Sequence, residues 1–162
     1  MTREEFVTLY SAKNMYAYAM YEERCHIGDA PRIGEALKRY GMDAVGNVIH
    51  ECLEHFQMFT SAREKYSQHQ HNALIWIICT QYPHMRITEL HLFFVKAMAG
   101  KFGKFYDRLE PMDITAALDR WQEECIRQRA KYIEKKISED DWKERDTYHS
   151  VWVAKQKVIK FE

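Results

Sequence analysis

Glycine and proline are scarce in this chain, with six glycines and three prolines among 162 residues. So few turn-formers argue against many short strands and favour long helices. An excess of charge of one sign is also missing: 24 Lys and Arg balance 24 Asp and Glu, and the sequence pI is about 7.1. That removes any chain-wide attraction to nucleic acid or anionic membranes and leaves only local patches. Cys25, Cys52, Cys79 and Cys125 contain no C-x-x-C, so neither a zinc-ligand spacing nor a small disulfide framework is present. Buried thiols in a reducing compartment are expected. The longest apolar run, Ala73 to Cys79, is far short of a membrane span. No hydrophobic signal region follows Met1-Thr2-Arg3-Glu4-Glu5, so a soluble, intracellular protein is expected.

Hydrophobic residues make up 46% and aromatics 14% of the chain, enough for one well-buried core at this length. Thr2 and Glu5 read as a capping box, opening a helix expected to run to about Arg24 with Tyr10, Tyr16, Tyr18 and Tyr21 crowded along it. Such tyrosine stripes usually line an amphipathic interface with their hydroxyls in water. A short helix is expected from Pro31 to Tyr40 with Gly41 as its stop. Gly34 inside that helix signals the close passage of another backbone or a weak helix. Val45, Ile49, Cys52, Leu53, Phe56 and Phe59 form a stripe over 42–59. After a polar connector to Asn72, a fourth helix is expected from Ala73 to Tyr82, apolar around most of its circumference at Ile75 and Trp76 and therefore central. Thr88 is read as the cap of a fifth, with Leu90, Phe93 and Phe94 inward and Gly100 as its left-handed stop. A sixth helix follows Pro111, and Ser138-Glu139-Asp140-Asp141 reads as the cap of a last one carrying Trp142 and Trp152.

His50-Glu51-Cys52-Leu53-Glu54-His55 has its histidines five apart, about 140° round a helix and poorly placed to share one ion. His69 and His71, like His84 and His91, lack companions at ligand spacing. No metal or cofactor is expected. Neither a nucleophile-elbow pattern nor either glycine-rich nucleotide fingerprint occurs, and the chain is not expected to be an enzyme. The feature with binding potential is Gly100-Lys101-Phe102-Gly103-Lys104-Phe105-Tyr106. From His84 to Arg108 there are five Lys and Arg against two acids, whereas the first sixty residues carry six against nine. That polarity suits a modest phosphate-contacting patch with aromatics for base stacking. Arg86, Lys96, Lys101, Phe102, Lys104, Phe105, Tyr106 and Arg108 are its candidate contacts. The plainer alternative has the aromatics pinning the turn to the core while the lysines sit in water.

Tyr82-Pro83, Ile87-Thr88-Glu89-Leu90, Leu92-Phe93-Phe94, the Gly100–Tyr106 turn and Leu118-x-x-Trp121 together carry a resemblance. The chain resembles small all-helical, uncharacterised proteins of phages and integrated mobile elements of Bacteroidetes-type gut bacteria, over residues 30–127. The resemblance implies a bacterial host cytoplasm and a place near phage replication, as a replisome organiser or helicase-loading accessory.

The expected architecture is all-α, a single-domain orthogonal bundle of about six or seven helices. A helical core spans 1–137, and a C-terminal helical segment, 138–162, packs on the core or on a partner. The expected function is that of a non-enzymatic accessory of phage or mobile-element DNA metabolism, binding a protein partner, with single-stranded DNA as a further candidate ligand. The alternative is a structural or interaction module, with a homodimer among its forms and no nucleic-acid binding.

Overall fold

The structure, a computed structural model, describes residues 1–60, 62–104 and 110–159, with side chains described up to residue 147. It is all-α, with no strand among the described residues. The elements are α1 (Arg3–Leu9), a 3-10 turn (Ala12–Asn14), α2 (Met15–Ala19), α3 (Glu22–Ile27), α4 (Ile33–Phe59), α5 (Gln68–Gln81), α6 (Ile87–Met98) and α7 (Pro111–Ile159). Residues Met1–Ile126 make one compact unit and Arg127–Glu162 a second. No helix among the described residues is long and apolar enough to cross a membrane.

In the first unit α6 is the central element: nine of its twelve residues are buried. Leu90, Phe93 and Phe94 are fully enclosed, each worth about 1.5–3 kcal/mol of apolar burial. Phe94 meets Phe56 of α4 at 5.9 Å between ring centroids. The helix ends in a Schellman motif: Lys101 N–H donates to the Lys96 carbonyl and Gly100 N–H to that of Ala97. Gly100 takes a φ of 78°, the left-handed conformation that glycine adopts without strain.

Helices α4 and α6 brace each other's first turns. Arg32 N–H donates to Glu35 and Arg86 N–H to Glu89, each at 2.8 Å, so the same Arg-x-x-Glu pattern opens both. Ile33 N–H then donates to the Met85 carbonyl, Gly34 N–H to that of Pro83, and Ile87 N–H to that of Pro31. Amides that a helix start leaves without intrahelical partners are thereby satisfied. A Cβ on Gly34 would stand 3.2 Å from the Pro83 carbonyl oxygen, so the close backbone passage expected there is present.

Four expectations need correction. The first helix does not run to Arg24. Glu51 of α4 accepts from Ser11 Oγ at 2.8 Å and from Ala12 N–H at 3.1 Å, and Asn14 donates to the Thr8 and Leu9 carbonyls. Those side-chain bonds compete with helix continuation and split the segment into α1, the 3-10 turn, α2 and α3. The Ser67–Gln70 capping box starts α5 at Gln68 rather than Ala73, and Trp76 is 58% exposed, so α5 is not central on all sides. Thr88 does not cap α6; its hydroxyl donates to the Cys25 carbonyl at 2.9 Å. The residues 138–141 do not start a new helix, because α7 runs through them without a glycine or proline to stop it.

Gly41 breaks α4 where the sequence predicts a stop, with φ 84° and ψ 167°, a region essentially reserved for glycine. No heavy atom lies within 4 Å of a Cβ built there, so a substitution meets strain without a clash. Gly41→Ala is expected to cost about 1–3 kcal/mol in urea denaturation, with an unchanged dependence on denaturant.

Candidate functional site

The glycine-aromatic turn is partly a structural fixture. Phe102 is half-buried, its ring 5.0 Å from that of Phe93 and 6.0 Å from that of Trp121. Lys101 and Lys104 are exposed. Lys96 is occupied internally: its ammonium pairs with Glu22 at 2.7 Å and lies over the Trp121 ring. The Arg86 guanidinium donates to the carbonyls of His26 at 3.0 Å and Ala30 at 2.7 Å. Arg86 and Lys96 therefore leave the contact surface expected from sequence. Phe105, Tyr106 and Arg108 lie outside the described residues.

Arg86 leads instead to a polar centre inside the first unit. His26 of α3, Glu89 of α6 and Cys125 of α7 are each 0% exposed. One donor atom from each lies within 4.8 Å of the others. His26 Nδ1 and Glu89 Oε1 are 2.9 Å apart, and Glu89 Oε2 accepts the Arg86 N–H. The Glu89 backbone carbonyl accepts from Trp121 Nε1 at 3.0 Å, and the His26 ring stands 5.7 Å from that indole. Local sequence gives no hint of this group, because its members come from three helices far apart along the chain.

A second polar system joins α4 to α5. His50 Nε2 pairs with Glu54 at 3.2 Å, and His50 Nδ1 meets His71 Nδ1 at 3.0 Å. His71 Nε2 contacts Gln57 Nε2, and Gln57 Oε1 accepts the Tyr66 N–H at 2.7 Å. One proton assignment satisfies every link: the Gln57 amide donates to His71, His71 Nδ1–H donates to His50, and His50 Nε2–H donates to Glu54. The His50–His71 contact spans 21 residues of sequence, so local spacing does not reveal it. Burial, and then the neighbouring His50, hold the His71 imidazole below its ordinary range. His91, which is fully buried, is pushed down to about 4 by burial and meets the Tyr10 carbonyl at 3.0 Å through Nε2.

Tyr10 and Tyr18 serve this packing, while Tyr16 and Tyr21 stay exposed. Tyr18 lies 5.4 Å from His91, nearly parallel, and donates to the Leu9 carbonyl, while Tyr16 reaches His55 at 2.7 Å. Two open grooves flank them. One, of about 590 Å³, is lined by residues including Glu51, Glu54 and His55, and the other, of about 680 Å³, by Tyr10, Tyr18 and Tyr21 among others. Neither is lined by His26, Glu89 or Cys125. A thiol, an imidazole and a carboxylate are the groups of a nucleophilic triad, but these three do not line either groove.

Among known proteins, a model of a family of unknown function (DUF6633) matches residues 65–151, just over half of the chain. The chain belongs to that family. The DUF6633 match takes in α5, α6, the glycine turn and most of α7, and with them Glu89 and Cys125, but not His26. No curated protein and no solved structure gives a significant match.

The His71 shift fixes the sign of a pH effect. A histidine whose folded pKa is depressed leaves the unfolded chain binding more protons below about pH 6.5, so stability is lost as pH falls from there toward the folded value. Urea denaturation at pH 7.5 and 5.5 is expected to show a larger loss in the native protein than in His71→Gln, whose amide does not titrate. An equal loss in both would remove His71 from the pH dependence.

Proposed function

We propose that the chain is a non-enzymatic interaction module that works as a dimer, its partner being a second copy bound along α7. The observation that carries this reading is an apolar stripe on an otherwise charged helix. Ile126, Ile133 and Ile137 are 56%, 49% and 58% exposed, and with the exposed Ala130 they follow the 4-3-4 spacing of a coiled-coil seam. Arg129, Lys136 and Lys143 then occupy one flank, and Arg127, Glu134 and Asp141 the other. In a parallel pair, each flank meets the opposite flank of its partner, so Arg129 faces Glu134 and Lys136 faces Asp141 of the other copy. An antiparallel pair would set the basic flanks against each other. Charge complementarity thus favours a parallel homodimer over an unrelated apolar partner. The seam is short, since Asp140 and Glu144 occupy its next two positions, and association is correspondingly modest.

The resemblance of residues 30–127 supports a setting in phage or mobile-element DNA metabolism, as a replication accessory. Exposed Lys101 and Lys104 support a second, narrower reading in which the glycine turn contacts phosphate. It involves fewer cations than the sequence suggests, because Arg86 and Lys96 are engaged internally.

Sedimentation velocity over a concentration series is expected to show a monomer–dimer equilibrium that the double change Ile133→Asp/Ile137→Asp abolishes. Lys136→Glu weakens the dimer, and adding Asp141→Lys restores it. A monomer at all concentrations, or no restoration by the charge swap, contradicts the parallel pairing. In the same preparations, salt-sensitive binding of a single-stranded oligonucleotide that Lys101→Glu/Lys104→Glu removes would support the phosphate reading, and salt-insensitive or absent binding would end it.

A further inference from the structure

We propose that His26, Glu89 and Cys125 form a structural site for a divalent transition metal of the zinc type. The first argument is the donor set. An imidazole, a carboxylate and a thiol, contributed by three different helices, bring donor atoms within 4.8 Å of one another. Bond lengths to zinc of roughly 2.0–2.3 Å put tetrahedral ligands about 3.3–3.6 Å apart. The 4.8 Å limit lies somewhat above that spacing, so the donors draw together when an ion binds.

The second argument is charge. All three residues are 0% exposed, and an ionised group in such a place is costly unless it is compensated. A thiolate, a carboxylate and a neutral imidazole around a dication sum to zero, which suits an interior of low dielectric. Calcium and magnesium want oxygen ligands almost exclusively, whereas a sulfur and nitrogen pair with one oxygen favours zinc and its neighbours.

The third argument is the support around the donors. Glu89 is oriented by the Arg86 N–H, and the Arg86 guanidinium holds the His26 carbonyl. Trp121, one turn before Cys125, fixes the Glu89 backbone from the side of α7. Outer-shell hydrogen bonds orient metal ligands, and here they hold the Glu89 carboxylate and the backbones of His26 and Glu89. Three protein ligands leave a fourth position for water. The ion would tie α3, α6 and the start of α7 together, and by binding the folded chain alone it would stabilise it by mass action.

The test uses the full chain, stripped with chelator and then titrated with Zn2+ against a chromophoric competitor, and separately loaded with Co2+. The proposal predicts one tightly bound Zn2+ per chain, a thiolate-to-cobalt charge-transfer band, and a rise in thermal midpoint with Zn2+. Cys125→Ser loses the band and the midpoint rise, and His26→Gln loses the tight equivalent. A native protein whose Co2+ spectrum has no thiolate band overturns the proposal without reference to any variant. Zn2+ affinity unchanged in Cys125→Ser overturns it as well, by assigning the ion to other residues.

Discussion

The Glu89 side chain is the point on which the first unit depends. It is a carboxylate with no exposure at all, and removing such a group from water costs several kcal/mol unless the surroundings replace its hydration. Here they do: the His26 ring and the Arg86 amide each reach one of its oxygens, and the indole of Trp121 binds the carbonyl of the same residue. Arg86, placed at the start of α6 by that bond, then reaches back to the carbonyls of His26 and Ala30. One residue thereby fixes the start of α6, the end of α3, the approach to α4 and the first turns of α7.

The need for such a fixture follows from the lengths of the first helices. Helices α1, α2 and α3 hold seven, five and six residues, well below the dozen or so that an isolated helix requires in water. Their stability is tertiary. Phe6 stacks on Tyr40 at 4.4 Å, Tyr18 lies against His91, and Glu51 holds the 3-10 turn. The His50–His71–Gln57 chain does for α4 and α5 what Glu89 does for α3, α6 and α7. Polar residues in these two places decide which helices adjoin, while Leu90, Phe93, Phe94 and their neighbours supply the bulk of the burial.

Features set by neighbours in sequence were legible in it. The inward stripe of α6, the Gly100 stop, the break at Gly41 and the close contact at Gly34 depend on nearby residues or on a backbone conformation that one residue type permits. Features set by distant partners were not. The break after α1 depends on Glu51, 39 residues beyond Ala12, and the His26–Glu89 contact spans 63 residues. Serine and acidic residues at 138–141 look like a cap, yet a helix accepts them when nothing stops it. The basic patch was half legible: a count of charges locates cations, but not that Arg86 and Lys96 are already engaged.

A double-mutant cycle on His26 and Glu89, by urea denaturation in the presence of chelator, tests the central claim most directly. If the pair organises the unit, Glu89→Gln and His26→Gln each cost roughly 3–5 kcal/mol, and the double variant costs far less than their sum. Small effects that add to within about 0.5 kcal/mol would show two independent residues, and the unit would then owe its arrangement to apolar packing alone.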